Sequence, residues 1–218
     1  GDWVLQQIRS LLVPILGIIF AVTVILEELC FHKLKGICEK QVTAEDEECD
    51  QLEYEEEKTG AFGTNLNVLS QVVSIFFLTF GYSMKYIETD DHAYSFLVAC
   101  VIFVASFIYI YFWQIRFVKL LQKTHPEKKG DPSSAKFQEQ WLASCDEAEK
   151  EEIYEASYKT YLLTGKVLPF CTLVAMLLHM VWNTGVLAII IPAFLWILSA
   201  FNFCRCCVTK KAKNLRSE

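Results

Sequence analysis

The stretch KVLPFCTLVAMLLHMVWNTGVLAIIIPAFLWILSAFNFCR, residues 166–205, carries 38 consecutive residues without Asp, Glu, Lys or Arg. As one helix, those residues would be about 57 Å long at ~1.5 Å per residue, whereas the hydrocarbon core of a bilayer is only ~30 Å thick. Asn183-Thr184-Gly185 interrupts the apolar run with residues that favour turns. The stretch therefore predicts two membrane spans, residues 161–182 and 186–204, folded back on each other.

Three further stretches lack formal charges and are long enough to cross a membrane, since a span needs ~17 to 25 residues. The uncharged stretches are residues 10–26, 60–84 and 92–115, and they predict spans at residues 11–31, 65–86 and 93–117. A soluble helical bundle is excluded, because the remaining polar chain is too short to cover so much apolar surface. With 53% hydrophobic residues, the chain is predicted to be an all-α, multi-pass transmembrane helical bundle with five spans.

Basic residues predict the orientation, because lysine and arginine in loops set topology while acidic residues contribute little. Placing residues 32–60, residues 116–166 and the C-terminus on one side puts 18 of the 20 basic residues there; only Arg9 and Lys85 fall on the other side. That side is predicted to be cytoplasmic. An alternative makes the acidic loop with Cys30, Cys38 and Cys49 a disulfide-linked ectodomain, but the basic count opposes it.

This topology places residues 1–10 at the outer surface as an interfacial stub, and residues 205–218 in the cytoplasm as a basic tail. An odd number of spans with an internal C-terminus puts the first residue outside. We therefore expect the native protein to have a sixth span ahead of this sequence.

Two cytoplasmic segments connect the spans. The acidic linker, residues 32–60, is too polar to fold alone and is predicted to be mobile. Residues 118–160 are predicted to form a helical segment, in which the helix of the third span ends at His125-Pro126. Beyond it, Phe137, Trp141, Cys145 and Ala148 share one face of an amphipathic helix. Ser144 and Glu147 fit a capping box, so a new helix is predicted to begin there and to run into the fourth span. The face is interpreted either as lying on the inner membrane surface or as docking a protein.

Ionisable residues inside a bilayer are costly and therefore mark functional sites, and few are found in these spans. Glu27 and Glu28 are interpreted as the point where the first span emerges into water, and His179 as an interfacial histidine. The polar residues predicted to face the bundle interior are Gln71, Ser74, Thr172, His179 and Asn202.

Signals for catalysis and cofactors are weak. His179-x-x-x-Asn183 and Glu27-Glu28 resemble elements of the CAAX-type intramembrane proteases, but the predicted positions lie toward opposite membrane faces. The cysteines of Cys204-x-Cys206-Cys207 are interpreted as free thiols at a helix end rather than as metal ligands. No phosphate loop or dinucleotide fingerprint occurs, so no cofactor is predicted. The net charge of −6 argues against direct nucleic-acid binding.

The segment from Pro126 to Pro169, followed by two closely spaced spans, resembles the bacterial membrane-protein family known as domain of unknown function 3169. Its strongest element is Lys136-Phe137-x-x-x-Trp141-Leu142-x-Ser144-Cys145-Asp146-Glu147-Ala148-Glu149. The resemblance covers essentially the whole chain and implies one further N-terminal span. It implies no activity; members resemble accessory proteins found near small helix-turn-helix regulators, which is a contextual argument only.

The sequence thus predicts a non-enzymatic protein of the bacterial cytoplasmic membrane that presents cytoplasmic segments to a protein partner. The residues predicted to bind that partner are Phe137, Trp141, Cys145 and Glu147. The alternative is a small transporter, or a transporter subunit, for an apolar or lipid-like molecule. An intramembrane hydrolase, which would require Glu28 and His179 to converge, is the third hypothesis. Membrane lipids are expected partners, and the sequence leaves open a homo-oligomer.

Overall fold

A computed structural model describes the backbone of residues 2–82 and 90–214, and the side chains of residues 11–45, 48–79, 82 and 93–208. The described residues form six helices: α1 (Asp2–Gln41), α2 (Asp46–Gly81), α3 (Asp90–Thr124), α4 (Phe137–Ser144), α5 (Glu147–Trp182) and α6 (Leu187–Asn214). All but α4 contain a segment long and apolar enough to cross a membrane. The predicted all-α, five-span fold class is confirmed, and the chain is a multi-pass membrane protein.

The chain divides into two compact units, Gly1–Ser144 and Cys145–Glu218. In the first unit, α1 and α2 form an antiparallel pair against which α3 packs. Leu12, Leu16 and Ala99 are buried where the apolar parts of α1 and α3 meet. Further along α1 the buried face becomes polar, which is described below.

The acidic linker is not a mobile loop, and that expectation is wrong. α1 continues to Gln41 and α2 begins at Asp46, so only four residues separate two long helices. As its composition indicates, neither half of the linker folds alone. The first half is the end of α1, and it packs against the second half, which is the start of α2. Leu34, Ile37 and Cys38 of α1 are buried. We call the packed helix ends beyond the predicted spans the stalk (residues 32–41, 46–60 and 118–125).

The segment after α3 also differs from its prediction. α3 ends at Thr124, immediately before His125-Pro126, as proline there predicts. A new helix begins near the predicted position, but the predicted common face of Phe137, Trp141, Cys145 and Ala148 is divided, because the chain leaves the helix at Cys145 and Asp146. The Ser144 hydroxyl donates to the Trp141 carbonyl at 2.7 Å and accepts from the Lys129 amide at 2.9 Å. Ser144 therefore closes α4 and does not cap the next helix.

The capping box that begins α5 lies two residues further on. The Glu149 amide donates to Asp146 Oδ1 at 2.8 Å, and the Asp146 amide donates to Glu149 Oε2 at 2.9 Å. These bonds satisfy two backbone donors that a helix start would otherwise leave unpaired.

The second unit is a hairpin of α5 and α6, with its turn at the predicted position. Asn183 adopts the left-handed conformation with φ 51°, and Gly185 has φ 95°. Near the other end of the hairpin, the rings of Tyr161 and Phe203 stack with centroids 4.0 Å apart. No described side chain of α5 or α6 is buried within this unit, so their apolar faces are available to lipid or to other protein surface.

Candidate functional site in the first helical unit

The middle of the α1–α2 pair is lined with buried polar side chains. On α1, Thr23 and Glu27 follow Leu16 at offsets of seven and four residues, which keeps them on the same buried helix face. On α2 the matching face carries Asn67, Ser70 and Ser74, all at most 6% exposed. We call these five side chains the polar layer. Polar groups are costly to bury unless they are paired, so the hydrogen-bond partners of these side chains decide what chemistry the layer can support.

Glu27 and Asn67 are the two buried side chains of this layer whose polar atoms are unpaired. Glu27 is 0% exposed and Asn67 is 1% exposed. Among the described residues, neither carboxylate oxygen of Glu27 and neither amide atom of Asn67 has a hydrogen-bond partner. Each unsatisfied buried group costs about 1–3 kcal/mol, and a charged one costs more.

Contacts on either side place these two residues at the same level of the helix pair. Toward one end, the hydroxyls of Thr23 and Ser70 lie 2.8 Å apart. Toward the other, the Cys30 thiol donates to the Thr59 carbonyl at 3.2 Å. In an antiparallel pair, position 27 therefore faces the turn that contains Asn67.

Trp113 of α3 closes the layer on one side. Its indole Nε1 donates to the Glu27 backbone carbonyl at 3.1 Å, and its ring stacks on Phe117 with centroids 5.4 Å apart and an interplanar angle of 8°. The indole reaches this position because α2 has glycine at position 63: a Cβ there would lie 2.5 Å from Trp113 Cη2. The glycine thus allows the close approach of α2 and α3.

The adjacent carboxylate, Glu28, is in a different environment. Arg116 Nη1 and Nη2 donate to its two oxygens at 2.6 and 3.2 Å, and the Tyr109 hydroxyl donates at 2.9 Å. The Arg116 guanidinium also lies 4.4 Å from the centre of the Phe31 ring, a cation–π distance. The interpretation that α1 simply emerges into water at this pair is wrong, because Glu27 is buried and Glu28 joins α1 to α3.

Ion pairs hold the stalk together beyond this layer. His125 Nε2 lies 3.2 and 3.3 Å from the two oxygens of Glu56, while Lys33 donates to Glu55 at 3.1 Å. The hydrogen bond to Glu56 raises the pKa of His125, the negative charges of Glu56 and Glu127 add to this, and burial opposes it. The pair therefore favours the charged imidazolium.

The family that is described as Protein of unknown function (DUF3169) matches residues 4–205. This chain belongs to that family. The match confirms the membership predicted from residues 126–169, and its range contains Glu27, Asn67 and the stalk. No curated protein and no solved structure matches the chain.

In this DUF3169 protein, the four residues predicted to bind a partner do not share one helix. Phe137 and Trp141 lie on α4, half-buried, with ring centroids 5.5 Å apart. Cys145 is 5% exposed. Glu147 opens α5, is exposed, and lies 3.3 Å from the Lys150 amine. Partner binding by this set stays a prediction, but Cys145 offers little accessible surface.

The polar residues predicted to face the bundle interior are divided between the two units. Ser74 is buried and Gln71 half-buried in the first unit. In the second, the Thr172 hydroxyl donates to the Leu168 carbonyl at 2.8 Å, and His179 Nδ1 accepts from the Gly185 amide at 3.2 Å. His179 therefore stabilises the hairpin turn, and Asn202 is exposed.

Sequence reasoning missed Glu27 and Asn67 as a pair, although a signal for Glu27 was present. Glu27 continues the helical spacing of Leu16 and Thr23 toward Leu34, so periodicity alone places it on the buried face. Within the described residues, no group of three or more His, Cys, Asp or Glu side chains could hold a metal ion. The layer instead offers oxygen atoms from a carboxylate, an amide and hydroxyls.

Proposed function

We propose that this protein is a non-enzymatic protein of the bacterial cytoplasmic membrane that uses its stalk to bind a basic protein in the cytoplasm. The distribution of lysine and arginine supports this orientation, with 18 of the 20 on the side of the stalk and the C-terminus. A basic DNA-binding regulator held at the membrane is one partner of suitable charge.

The charge of the acidic linker supports a basic partner. Residues 32–60 contain ten acidic residues and four lysines, which is a net charge of −6 and equals the net charge of the whole chain. The rest of the chain is balanced, with 16 acidic and 16 basic residues. Complementary charge of this kind steers a partner to one place and speeds association.

The observation that carries the proposal is the division of these carboxylates into those that form ion pairs within the stalk and those that are exposed. Glu55 and Glu56 bond inward to Lys33 and His125. Glu48, Asp50 and Glu53 are exposed instead. Like charges three or four residues apart destabilise a helix by roughly 0.2–0.5 kcal/mol per pair. Among these three residues Asp50 and Glu53 have that spacing, and a cationic surface placed against them would offset the cost.

The stalk replaces the α4 face as the favoured binding surface. The aromatic rings of α4 are half-buried and packed on each other, so they present less accessible area than an exposed amphipathic face would. The transporter and hydrolase hypotheses stay predictions. The hydrolase is disfavoured by the bonds that Glu28 and His179 already make, since a general base needs a free site for water.

The test is a charge reversal at exposed carboxylates of α2, with a matched reversal at exposed carboxylates of α5. E48K/D50K/E53K and E151K/E152K/E155K change the same number of exposed carboxylates on α2 and α5. Partners are cross-linked in intact cells of the native host and quantified by mass spectrometry. The stalk variant is expected to lose a basic partner about tenfold, which corresponds to ~1.4 kcal/mol, while the α5 variant retains it. Equal recovery from both variants, or equal loss, would refute the proposal.

A further inference from the structure

We propose that Glu27 and Asn67 form a buried site for one small monovalent cation inside the first helical unit. The cation is either a proton carried by the Glu27 carboxyl or Na⁺ shared by the oxygens of both side chains. The inference is independent of partner binding by the stalk, because it rests on the interior of the α1–α2 pair.

Glu27 has no positively charged partner among the described residues. A buried carboxylate is tolerated only when it is paired, coordinates a cation or carries a proton. Arg116 of α3 does not supply the missing charge, because its Nη1 and Nη2 both donate to the adjacent Glu28. Tyr109 also donates to Glu28. Among the described residues, the Glu27 oxygens therefore have neither a cationic partner nor a hydrogen-bond donor.

Asn67 also lacks hydrogen-bond partners in the described part of the chain, and this observation is independent of Glu27. This side chain is 1% exposed and belongs to a different helix, yet its oxygen and nitrogen are also unpaired. Two fully buried, unpaired polar side chains at one level of a helix pair indicate a group that both of them contact. Polar residues inside the membrane-spanning part of a protein are costly and usually functional.

The atoms that could coordinate a cation at this site are oxygens. The site offers two carboxylate oxygens and one amide oxygen, with the Thr23 and Ser70 hydroxyls one helical turn away. Oxygen donors suit small, hard cations. Cys30, three residues after Glu27, has a thiol that already donates to the Thr59 carbonyl, so a soft metal is not favoured. A single negative charge matches a single positive charge.

Carbodiimide labelling tests the site directly. Dicyclohexylcarbodiimide partitions into apolar environments, and the O–H of a protonated carboxyl adds across its C=N bond to leave a covalent adduct. Purified protein in lipid nanodiscs is labelled across a pH series, with Na⁺ or with choline at equal ionic strength, and the adduct is located by peptide mass spectrometry. Glu27 is expected to react at low pH and progressively less as the pH rises.

The two cations give different results. If Na⁺ binds, it protects Glu27 from labelling and raises the Tm of the wild type relative to choline, and N67A abolishes both effects. If only a proton binds, labelling depends on pH alone, and N67A shifts the pH at which labelling is lost, because Asn67 is part of the site. In both cases E27Q removes the adduct, and E28Q retains labelling at Glu27.

One set of results overturns the inference: Glu27 is unreactive at every pH while the Tm is indifferent to Na⁺. Labelling that moves from Glu27 to Glu28 across the same pH range would also overturn it. Both results come from wild-type protein, so the test does not depend on whether E27Q or N67A folds.

Discussion

A single methyl group added at Gly63 is expected to separate α2 from α3. The Cβ of Gly63→Ala would lie 2.5 Å from Trp113 Cη2, 3.1 Å from Trp113 Cζ2 and 3.2 Å from Cys30 Sγ. The indole cannot retreat without cost, because Trp113 is 1% exposed, stacks on Phe117 and donates to the Glu27 carbonyl. Relief of the clash must therefore move a helix or break that hydrogen bond.

The expected loss of stability follows from two opposing effects. Overpacking a well-filled interior costs typically ~1–3 kcal/mol, and alanine in place of glycine returns up to ~1 kcal/mol through helix propensity. We expect Gly63→Ala to lower the free energy of unfolding by about 1–2 kcal/mol. Gly17→Ala is the matched control, since a Cβ at that helical glycine meets nothing within 4 Å, and it should be neutral or stabilising.

Reversible unfolding in mixed micelles by SDS titration, followed by tryptophan fluorescence, measures both variants under the same conditions. Trp113→Leu in the Gly63→Ala background should recover part of the loss relative to Trp113→Leu alone, because the double-mutant cycle isolates the clash. If Gly63→Ala were as stable as Gly17→Ala, or the cycle showed no coupling, the close approach of α2 to Trp113 would be refuted.

Three further predictions concern the stalk, the helix cap and the hairpin. The pKa of His125 is raised by its bond to Glu56, so this stabilisation is fully present below pH ~6.5 and is lost as the pH rises through the raised value; the free energy of unfolding of His125→Gln should lack that dependence. Asp146→Ala should destabilise the start of α5 by ~1 kcal/mol, seen as faster amide hydrogen exchange in its first turn and not in α6. Gly185→Ala should cost ~1–2 kcal/mol at φ 95° and lower the Tm, whereas Gly165→Ala, which has open space around it, should not.

The elements that sequence reasoning predicted correctly depend on local signals. Uncharged length predicted five spans, and a turn former with glycine predicted the hairpin at residues 183–185, where Asn183 and Gly185 both have positive φ. Each signal lies within one element or its immediate neighbours. The proline after Thr124 correctly marked the end of α3 for the same reason.

The elements that sequence reasoning missed depend on pairing between distant positions. The linker is polar enough to look unfolded, and only contacts across 18 to 69 residues, such as Cys38 with Glu56 and His125 with Glu56, account for its order. The environments of Glu27 and Glu28 differ because Arg116 is 88 residues from Glu28 in sequence. Charge counts cannot report such pairing. The displaced capping box is a local error, because both Ser144 and Asp146 satisfy the same motif and only Ser144 has other bonds to make.

The 40 residues of α1 run without a break from Asp2 to Gln41, a rod of about 60 Å at ~1.5 Å per residue. If this helix moves as a rigid body, a small rotation about its axis at Glu27 turns its C-terminal end, which packs against α2, through the same angle. Occupancy of the proposed cation site at Glu27 would then be coupled through α1 to the position of the charged side chains of the stalk.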